Sequence, residues 1–125
     1  MRKQYHFRPG AGEGFDAWDV DRLIALVASQ PIEHLPLDQI AELDTDYWFG
    51  HGSTPTVRSI AEHYRLMTQV DPRFPIVVDP WGGVMDGMHR VARAFAEGNE
   101  FVAAKRLAVM PEPDYQDCQP ENLPY

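Results

Sequence analysis

The stretch that decides the fold is VMDGMHRVARA, residues 84–94. It follows an apolar, strand-like run at 76–78 and opens a helix-like segment that closes at Gly98, since glycine commonly ends helices. Gly87 separates the two, because glycine tolerates the positive φ of a tight turn. Asp86 is predicted to cap the helix by accepting hydrogen bonds from first-turn amides. The stretch therefore predicts a short strand, a turn and a helix.

The beginning of this helix is predicted to hold an anion. Free amides of a first helical turn and the positive end of the helix dipole attract negative charge. His89 lies four residues before Arg93, and Arg90 three before it, so these side chains share a face. The alternative is an ordinary capped helix with solvated arginines. The candidate phosphate-binding residues are Asp86, Gly87, Met88, His89, Arg90 and Arg93.

The N-terminal half predicts one helix, one edge strand and a loop. The glycine-rich run at 8–14 is predicted to be a flexible arm. Asp16 is predicted to cap a helix that ends before Pro31. Residues 32–40 alternate roughly with period two around a proline, which favours an edge strand. An acidic loop is predicted over 41–53.

A second helix is predicted to begin at Thr54-Pro55, with threonine as the cap and proline at the first helical position. Its apolar residues recur at helical spacing and predict a buried stripe. His63 adjoins this stripe and is predicted to be a hydrogen-bonded histidine at the edge of the core. The stripe comprises Val57, Ile60, Ala61, Tyr64 and Met67.

The complete pattern predicts an α+β protein with a small mixed sheet flanked by helices. Strands are expected at 74–79, 84–85 and 101–109, the first two joined by a glycine-rich reversal. The order of elements does not alternate strand and helix, which argues against a doubly wound sheet. One domain over 1–110 is predicted, followed by an extended, proline-rich tail over 111–125.

The composition excludes several classes of protein. The chain has 125 residues and a net charge of −8, whereas DNA-binding domains are usually basic. No apolar run is long enough to span a membrane, and no apolar stretch follows the basic N-terminus. The single cysteine fits a reducing compartment. A cytoplasmic protein with neither DNA nor a membrane as its partner is therefore expected.

Residues 32–110 resemble the ParB/sulfiredoxin superfamily. The likeness is carried by the strand PIVVD at 75–79, a glycine turn, the run MDGMHR at 85–90 and the helix and strand that follow. The run LPLDQI at 35–40 is similar to an extended segment near the start of ParB domains. The resemblance implies a small α+β domain that binds nucleotide phosphates where the helix begins.

The chain departs from two well-known branches of this superfamily. Sulfiredoxins carry a nucleophilic cysteine immediately before the His-Arg pair, and here that position is Met88, whose thioether cannot form a thiolate. Sulfiredoxin chemistry is therefore not expected. Partitioning ParB proteins carry a DNA-reading helix-turn-helix after this domain, and none is recognised in this acidic sequence. The resemblance leaves nucleotide binding as the expected property.

The predicted ligand is a nucleotide such as ATP, ADP or CTP with Mg²⁺, or another small phosphorylated molecule, and no metal site built by the protein alone is predicted. Nucleotide hydrolysis and transfer of a phosphoryl group to a small metabolite remain open. Such transfer needs groups that position the phosphate and a general base. His89 is one candidate catalytic residue, and the acidic loop offers three more, Glu42, Asp44 and Asp46.

Two tryptophans are candidates for stacking on a base, Trp48 and Trp81, although such residues more often anchor a loop to the core. The alternative function is a non-catalytic protein-interaction module that keeps the fold without the chemistry. Either a monomer or a homodimer is compatible with the sequence.

Overall fold

The computed structural model describes residues 2–50 and 54–125 and contains two sheets. The first is antiparallel and consists of β1 (Tyr5–Pro9), β2 (Phe15–Asp19) and β7 (Tyr115–Cys118). The second has the order β3-β6-β4-β5 and consists of β3 (Glu33–Pro36), β4 (Ile76–Val78), β5 (Val84–Asp86) and β6 (Phe101–Arg106).

Three α-helices accompany the sheets in the described residues: α1 (Val20–Leu26), α2 (Val57–Gln69) and α3 (Met88–Ala96). Short 3₁₀ turns lie at Leu37–Gln39, Ala41–Asp44 and Pro120–Asn122. The predicted α+β class is confirmed. The four-stranded sheet is mixed, because β4 runs parallel to β6 while the other pairs are antiparallel. The second, antiparallel sheet was not predicted.

The core lies on both faces of the mixed sheet. Ile76 and Val78 in β4 face the cluster that contains Val91 of α3, whereas Val77 belongs to the cluster that contains Leu23 of α1. This division follows from the pleat of a strand, in which neighbouring side chains point to opposite faces. The continuous apolar run at 76–78 is thus buried on both sides, and it fixes the strand that leads into the candidate site.

The N-terminal prediction was wrong in two respects. Residues 8–14 are not a flexible arm, because the run begins at the end of β1 and continues into the connection to β2. Asp16 does not cap a helix but lies in β2; Asp19 caps α1 by accepting from the amide of Asp21 at 2.9 Å. Pairing with β1 and β7 outweighs the local helix signal, since β-sheet preference depends strongly on context.

The predicted start and packing of α2 were also wrong. Its cap is Thr56, which forms a reciprocal capping box with Ser59. The apolar residues predicted as a buried stripe are mainly solvent-exposed, and Val57 is the most exposed of them. The helix turns another face inward, and only Met67 of the predicted stripe is half-buried there. The last residues of the loop predicted over 41–53, residues 51–53, lie outside the described residues.

Helix α3 confirms the strand-turn-helix prediction but corrects its cap. The N-cap is Gly87, at φ 103°, and no side chain bonds to the first-turn amides as a cap. Asp86 instead pairs with Arg90, one helical turn later. Gly98, at φ 78°, follows the end of the helix as predicted.

Residues 111–125, predicted as an extended tail, pack along the N-terminal hairpin. Strand β7 pairs with β2, the indole of Trp18 donates to the carbonyl of Pro111 at 2.9 Å, and Leu123 is buried. Gly14 donates its amide to the carboxylate of Asp117 at 2.8 Å. Within the described ranges, no helix combines the length and apolar character needed to cross a bilayer.

Candidate functional site

A groove with a volume of about 410 Å³ lies at the beginning of α3. It brings together five of the six predicted phosphate-binding residues, which are Asp86, Gly87, Met88, His89 and Arg90. The N-terminal segment contributes Arg2 and Gln4, α1 contributes Ile24, and the end of α2 contributes Leu66. The groove is therefore built from segments that are far apart in the sequence, around the turn that the sequence singles out.

The backbone at the start of α3 leaves two amides for an outside acceptor. The amides of Arg90 and Val91 both donate to the carbonyl of Gly87, at 2.9 and 3.1 Å. Met88 and His89 precede these bonds, and the first amides of a helix have no acceptor within it. Because they stand at the positive end of the helix dipole, these two amides favour an anion.

Asp86 and Arg90 form an ion pair at 2.9 Å, and both side chains are mostly buried. The guanidinium of Arg90 lies against the backbone of Gly87, so closely that a Cβ at position 87 would stand 2.7 Å from its Nη2. Its Nε is buried and has no hydrogen-bond partner among the residues that the structure describes. Arg90 thus neutralises the Asp86 carboxylate, which would otherwise repel an anion. The close approach of its guanidinium to the backbone leaves no room for a side chain at position 87.

Arg93, the sixth predicted phosphate-binding residue, is hydrogen-bonded within the chain. Its Nη1 donates to the carbonyl of Val70 at 2.7 Å, and its Nε donates to Glu97 at 3.2 Å. It does not line the groove. The first bond satisfies a carbonyl just after α2, so Arg93 ties the end of α2 to α3.

His89 takes part in a three-ring cluster above the start of α3. Its Nε2 lies 2.8 Å from Nδ1 of His63, a hydrogen bond in which one ring donates and the other accepts according to the tautomers. Both rings stack on Trp48, with centroid distances of 4.3 Å for His63 and 4.7 Å for His89. His63 is thus hydrogen-bonded at the edge of the core, as predicted. The cluster joins the loop before α2 to both helices.

The two tryptophans are placed differently. Trp48 packs against the core and covers the imidazole pair, so one face of its indole is occupied within the chain. Trp81 is largely exposed on the turn between β4 and β5 and does not line the groove. Stacking of a base by either residue remains a prediction.

The environment of the imidazole pair disfavours its charged form. Burial lowers the pKa of His89 to about 4, and the adjacent His63 acts in the same direction. Burial also lowers the pKa of His63, although the charge of Glu62 opposes the change. Two protons on the facing nitrogens would abolish the shared hydrogen bond. The pair is therefore neutral at pH 7 and offers hydrogen bonds rather than positive charge.

Acidification is expected to weaken the fold through this pair. The unfolded chain takes up a proton on His89 near pH 6.5, whereas the folded protein resists it until about pH 4. Stability present above pH 6.5 is thus lost as the pH falls through this window, by about 1 kcal/mol between pH 7.5 and 5 after allowance for partial exposure. Urea unfolding at the two pH values measures it.

His89→Gln is the matched variant for this measurement, because glutamine is polar but does not take up a proton in this pH range. Its stability is expected to depend less on pH than that of the unaltered protein. Buried His6, whose pKa burial lowers to about 4, contributes equally to both proteins and cancels from the comparison. Identical pH slopes for the two proteins would contradict the prediction.

The three carboxylates of the acidic loop do not all meet in one place, although Glu42 and Asp46 line a small groove beside Met88 and Trp48. Glu42 accepts from the amide of Val84 at 2.9 Å, and Asp46 accepts from the amide of Phe49 at 3.1 Å. Asp44 lines a separate apolar groove. None of the three lines the groove at α3. A general base from this loop remains a prediction. In the structure, the carboxylate of Glu42 anchors β5 through its hydrogen bond with the amide of Val84.

Sequence reasoning missed the N-terminal contribution to the groove. Arg2 is exposed, and its guanidinium lies 4.5 Å from the ring centroid of Tyr125. The position of Arg2 beside α3 depends on the pairing of strands that are distant from α3 in the sequence, and no local sequence pattern indicates it. Within residues 2–50 and 54–125, no three His, Cys, Asp or Glu side chains are grouped so that they could hold a metal ion.

Comparisons with protein-family models, with curated proteins and with solved structures give no match for this chain. The resemblance of residues 32–110 to the ParB/sulfiredoxin superfamily therefore remains a prediction.

Proposed function

We propose that the protein binds a small phosphate-bearing ligand, a nucleotide in the first instance, in the groove at the start of α3. The observation that carries this proposal is that Met88 and His89, whose amides have no acceptor within α3, line a groove together with Arg2. Such amides at a helix N-terminus bind phosphate groups in many folds. The superfamily resemblance favours the same position.

The local charge supports an anion although the whole chain is acidic. The groove contains two carboxylates, and each is already paired: Asp86 with Arg90, and Asp21 with Lys3 at 3.1 Å. Arg2 has no carboxylate partner among the described residues. Arg2 lines the same groove as Met88 and His89, and its guanidinium lies over the ring of Tyr125, so a phosphate bound there would give it an anionic partner.

The same pairing limits the support for Mg²⁺ held by the protein. Mg²⁺ is usually bound by one or two carboxylates together with substrate phosphates, and the two carboxylates of the groove are both engaged by cations. A magnesium ion that accompanies a nucleotide would therefore be held by phosphate oxygens and water. The groove fits the phosphate better than it fits the ion.

Ligand binding is better supported than turnover. A general base is most effective when its pKa lies near the working pH, whereas burial holds the pKa of His89 near 4. The carboxylates proposed as alternative bases do not line the groove. We therefore propose a binding function. An assay of nucleotide turnover would test whether hydrolysis or phosphoryl transfer accompanies binding.

Titration with ATP, ADP and CTP, each with and without Mg²⁺, is expected to give saturable binding with a dissociation constant between about 10 μM and 1 mM, or roughly −7 to −4 kcal/mol. Amide resonances of Met88 and His89 should shift most in ¹⁵N-resolved NMR spectra, because those groups would donate to the phosphate. Calorimetry gives the affinity independently.

Arg2→Ala is expected to weaken this binding about fivefold, the loss of roughly 1 kcal/mol from one charge-assisted contact. Arg73→Ala is the control, since Arg73 pairs with Asp71 on the surface and lies outside the groove. Absence of binding at millimolar nucleotide would refute the proposal. Binding that shifts resonances elsewhere and ignores Arg2 would place the ligand at another site.

A second candidate function, the protein-interaction module, is favoured by a different observation. Helix α2 exposes its apolar residues to solvent instead of packing them on the sheet. Large exposed apolar surfaces on soluble proteins commonly mark interaction sites. This function does not exclude ligand binding, because the exposed face and the groove lie on different parts of the molecule.

A further inference from the structure

The exposed face of α2 is a contiguous apolar stripe. Val57, Ile60 and Tyr64 are 89%, 56% and 66% exposed, and Ala61 lies between them on the helix surface. Their spacings of three, four and seven residues place them on one side. The helix contacts the rest of the chain through its other residues, mainly against α3. The stripe is therefore available to a partner.

Charged side chains follow one flank of this stripe. Arg58, Glu62 and Arg65 are exposed, and none of them forms a salt bridge with any residue in the described part of the chain. The three alternate in sign along the helix. For Arg58 and Glu62, an antiparallel copy of α2 presents the complementary order, with Glu62 of the copy on the same flank as Arg58 and Arg58 of the copy on the same flank as Glu62.

The register of such a pair follows from the sequence. The apolar stripe is centred between Ile60 and Ala61, and the pair Arg58 and Glu62 is centred on Ile60. These two centres differ by half a residue, or about 0.75 Å along a helix. Because a two-fold axis doubles this difference, superimposing the stripes brings Arg58 within about 1.5 Å of the level of Glu62 of the second copy, and Glu62 equally close to the level of Arg58 of that copy.

We propose that α2 pairs antiparallel with α2 of a second copy of this chain to form a symmetric homodimer. Isologous pairing of this kind is the commonest symmetry among soluble oligomers. The inference rests on the interaction-module function, and the pairing itself requires no ligand. One helix from each copy buries less than the roughly 800 Å² per partner of a stable complex, so a reversible dimer in the micromolar range is expected.

The dimer would also affect the candidate site. His63 on α2 contacts His89, and Leu66 lines the groove at α3. Holding α2 in a dimer would thus hold one wall of that groove. Ligand affinity measured above and below the dimer dissociation constant would then differ.

Sedimentation equilibrium over about 1 μM to 1 mM protein tests the dimer directly. The unaltered chain is expected to associate reversibly, and Ile60→Glu is expected to raise the dissociation constant at least 100-fold by placing a charge in the stripe. Arg58→Glu and Glu62→Arg should each raise it about tenfold through like-charge contacts, and the double variant should restore it. Arg73→Glu, away from α2, should leave it unchanged.

A chain that stays monomeric at 1 mM, or a dimer that Ile60→Glu does not weaken, would overturn the inference. So would a double variant no better than the single variants. Circular dichroism of each variant shows whether it is folded, and all four positions are exposed. Binding of a different protein to the α2 face of a monomeric chain would keep the interaction function and reject the second copy as its partner.

Discussion

Replacement of Gly87 by alanine is expected to destabilise the protein by about 3 kcal/mol. Gly87 has a φ of 103°, and an L-residue with a side chain loses roughly 1–2 kcal/mol in the left-handed region. Its added Cβ would also stand 2.7 Å from Ile76 Cγ2 and from Arg90 Nη2. The second group can move only by breaking the Asp86 ion pair, and overpacking costs a further 1–3 kcal/mol. Urea unfolding at pH 7.5 measures the loss.

Gly98→Ala is the matched control for this variant. Gly98 also has a positive φ, of 78°, but nothing lies within 4 Å of the position that its Cβ would take. It therefore incurs the backbone cost alone, about 1 kcal/mol. The difference between the two variants isolates the contact with Ile76 and Arg90. Equal losses in the two variants would show that the turn at α3 has room for a side chain, contrary to the packing described.

The local part of this fold could be predicted from the sequence. The strand at 76–78, the turn and α3 depend on features that lie within a few residues of one another, such as an apolar run, a glycine and helical spacing. The groove at the start of α3 could be anticipated for the same reason. Among the six predicted phosphate-binding residues, only Arg93 does not line the groove. Its guanidinium instead donates a hydrogen bond to the carbonyl of Val70, 23 residues earlier.

The N-terminal sheet could not be predicted in the same way. Strand β2 is held by β7, about 100 residues later, and by contacts such as Trp18 to Pro111. No local pattern records such a pairing, so the helix signal around Asp16 prevailed in the prediction. The stripe on α2 shows a related limit. Periodicity identifies the apolar face of a helix, but it does not show whether the same chain covers that face.

Asp79→Ala is expected to destabilise the protein by about 3 kcal/mol or more. Asp79 is buried, and one of its oxygens accepts from the amides of Trp81 and Gly83, at 2.8 and 2.9 Å. The other accepts from Arg8 at 2.9 Å, and Arg8 in turn donates to His6. Truncation would leave a partly buried guanidinium and two amides without their acceptor, and breaking a buried pair costs about 3–5 kcal/mol.

The pH dependence of stability shows whether Asp79 acts through its negative charge or only as a hydrogen-bond acceptor for the turn. Burial alone would raise the pKa of Asp79, but the amide of Gly83, the charge of Arg8 and the amide of Trp81 outweigh it and lower the pKa below 3.8. The carboxylate therefore stabilises the fold above the unfolded pKa, and this contribution is lost as the pH falls through the lower, folded pKa. The gap between the unaltered protein and Asp79→Ala should narrow on acidification from pH 7 to pH 3.

Asp71→Ala is the control, since Asp71 pairs with Arg73 on the surface, where such pairs contribute little. Its effect at pH 7 is expected to be much smaller than that of Asp79→Ala. Asp79→Asn should fall between the two, because its amide oxygen can still accept from the turn while its nitrogen faces the guanidinium of Arg8 as a second donor. If Asp79→Asn were as stable as the unaltered protein, the charge of Asp79 would have no part in joining the N-terminal hairpin to the turn before β5.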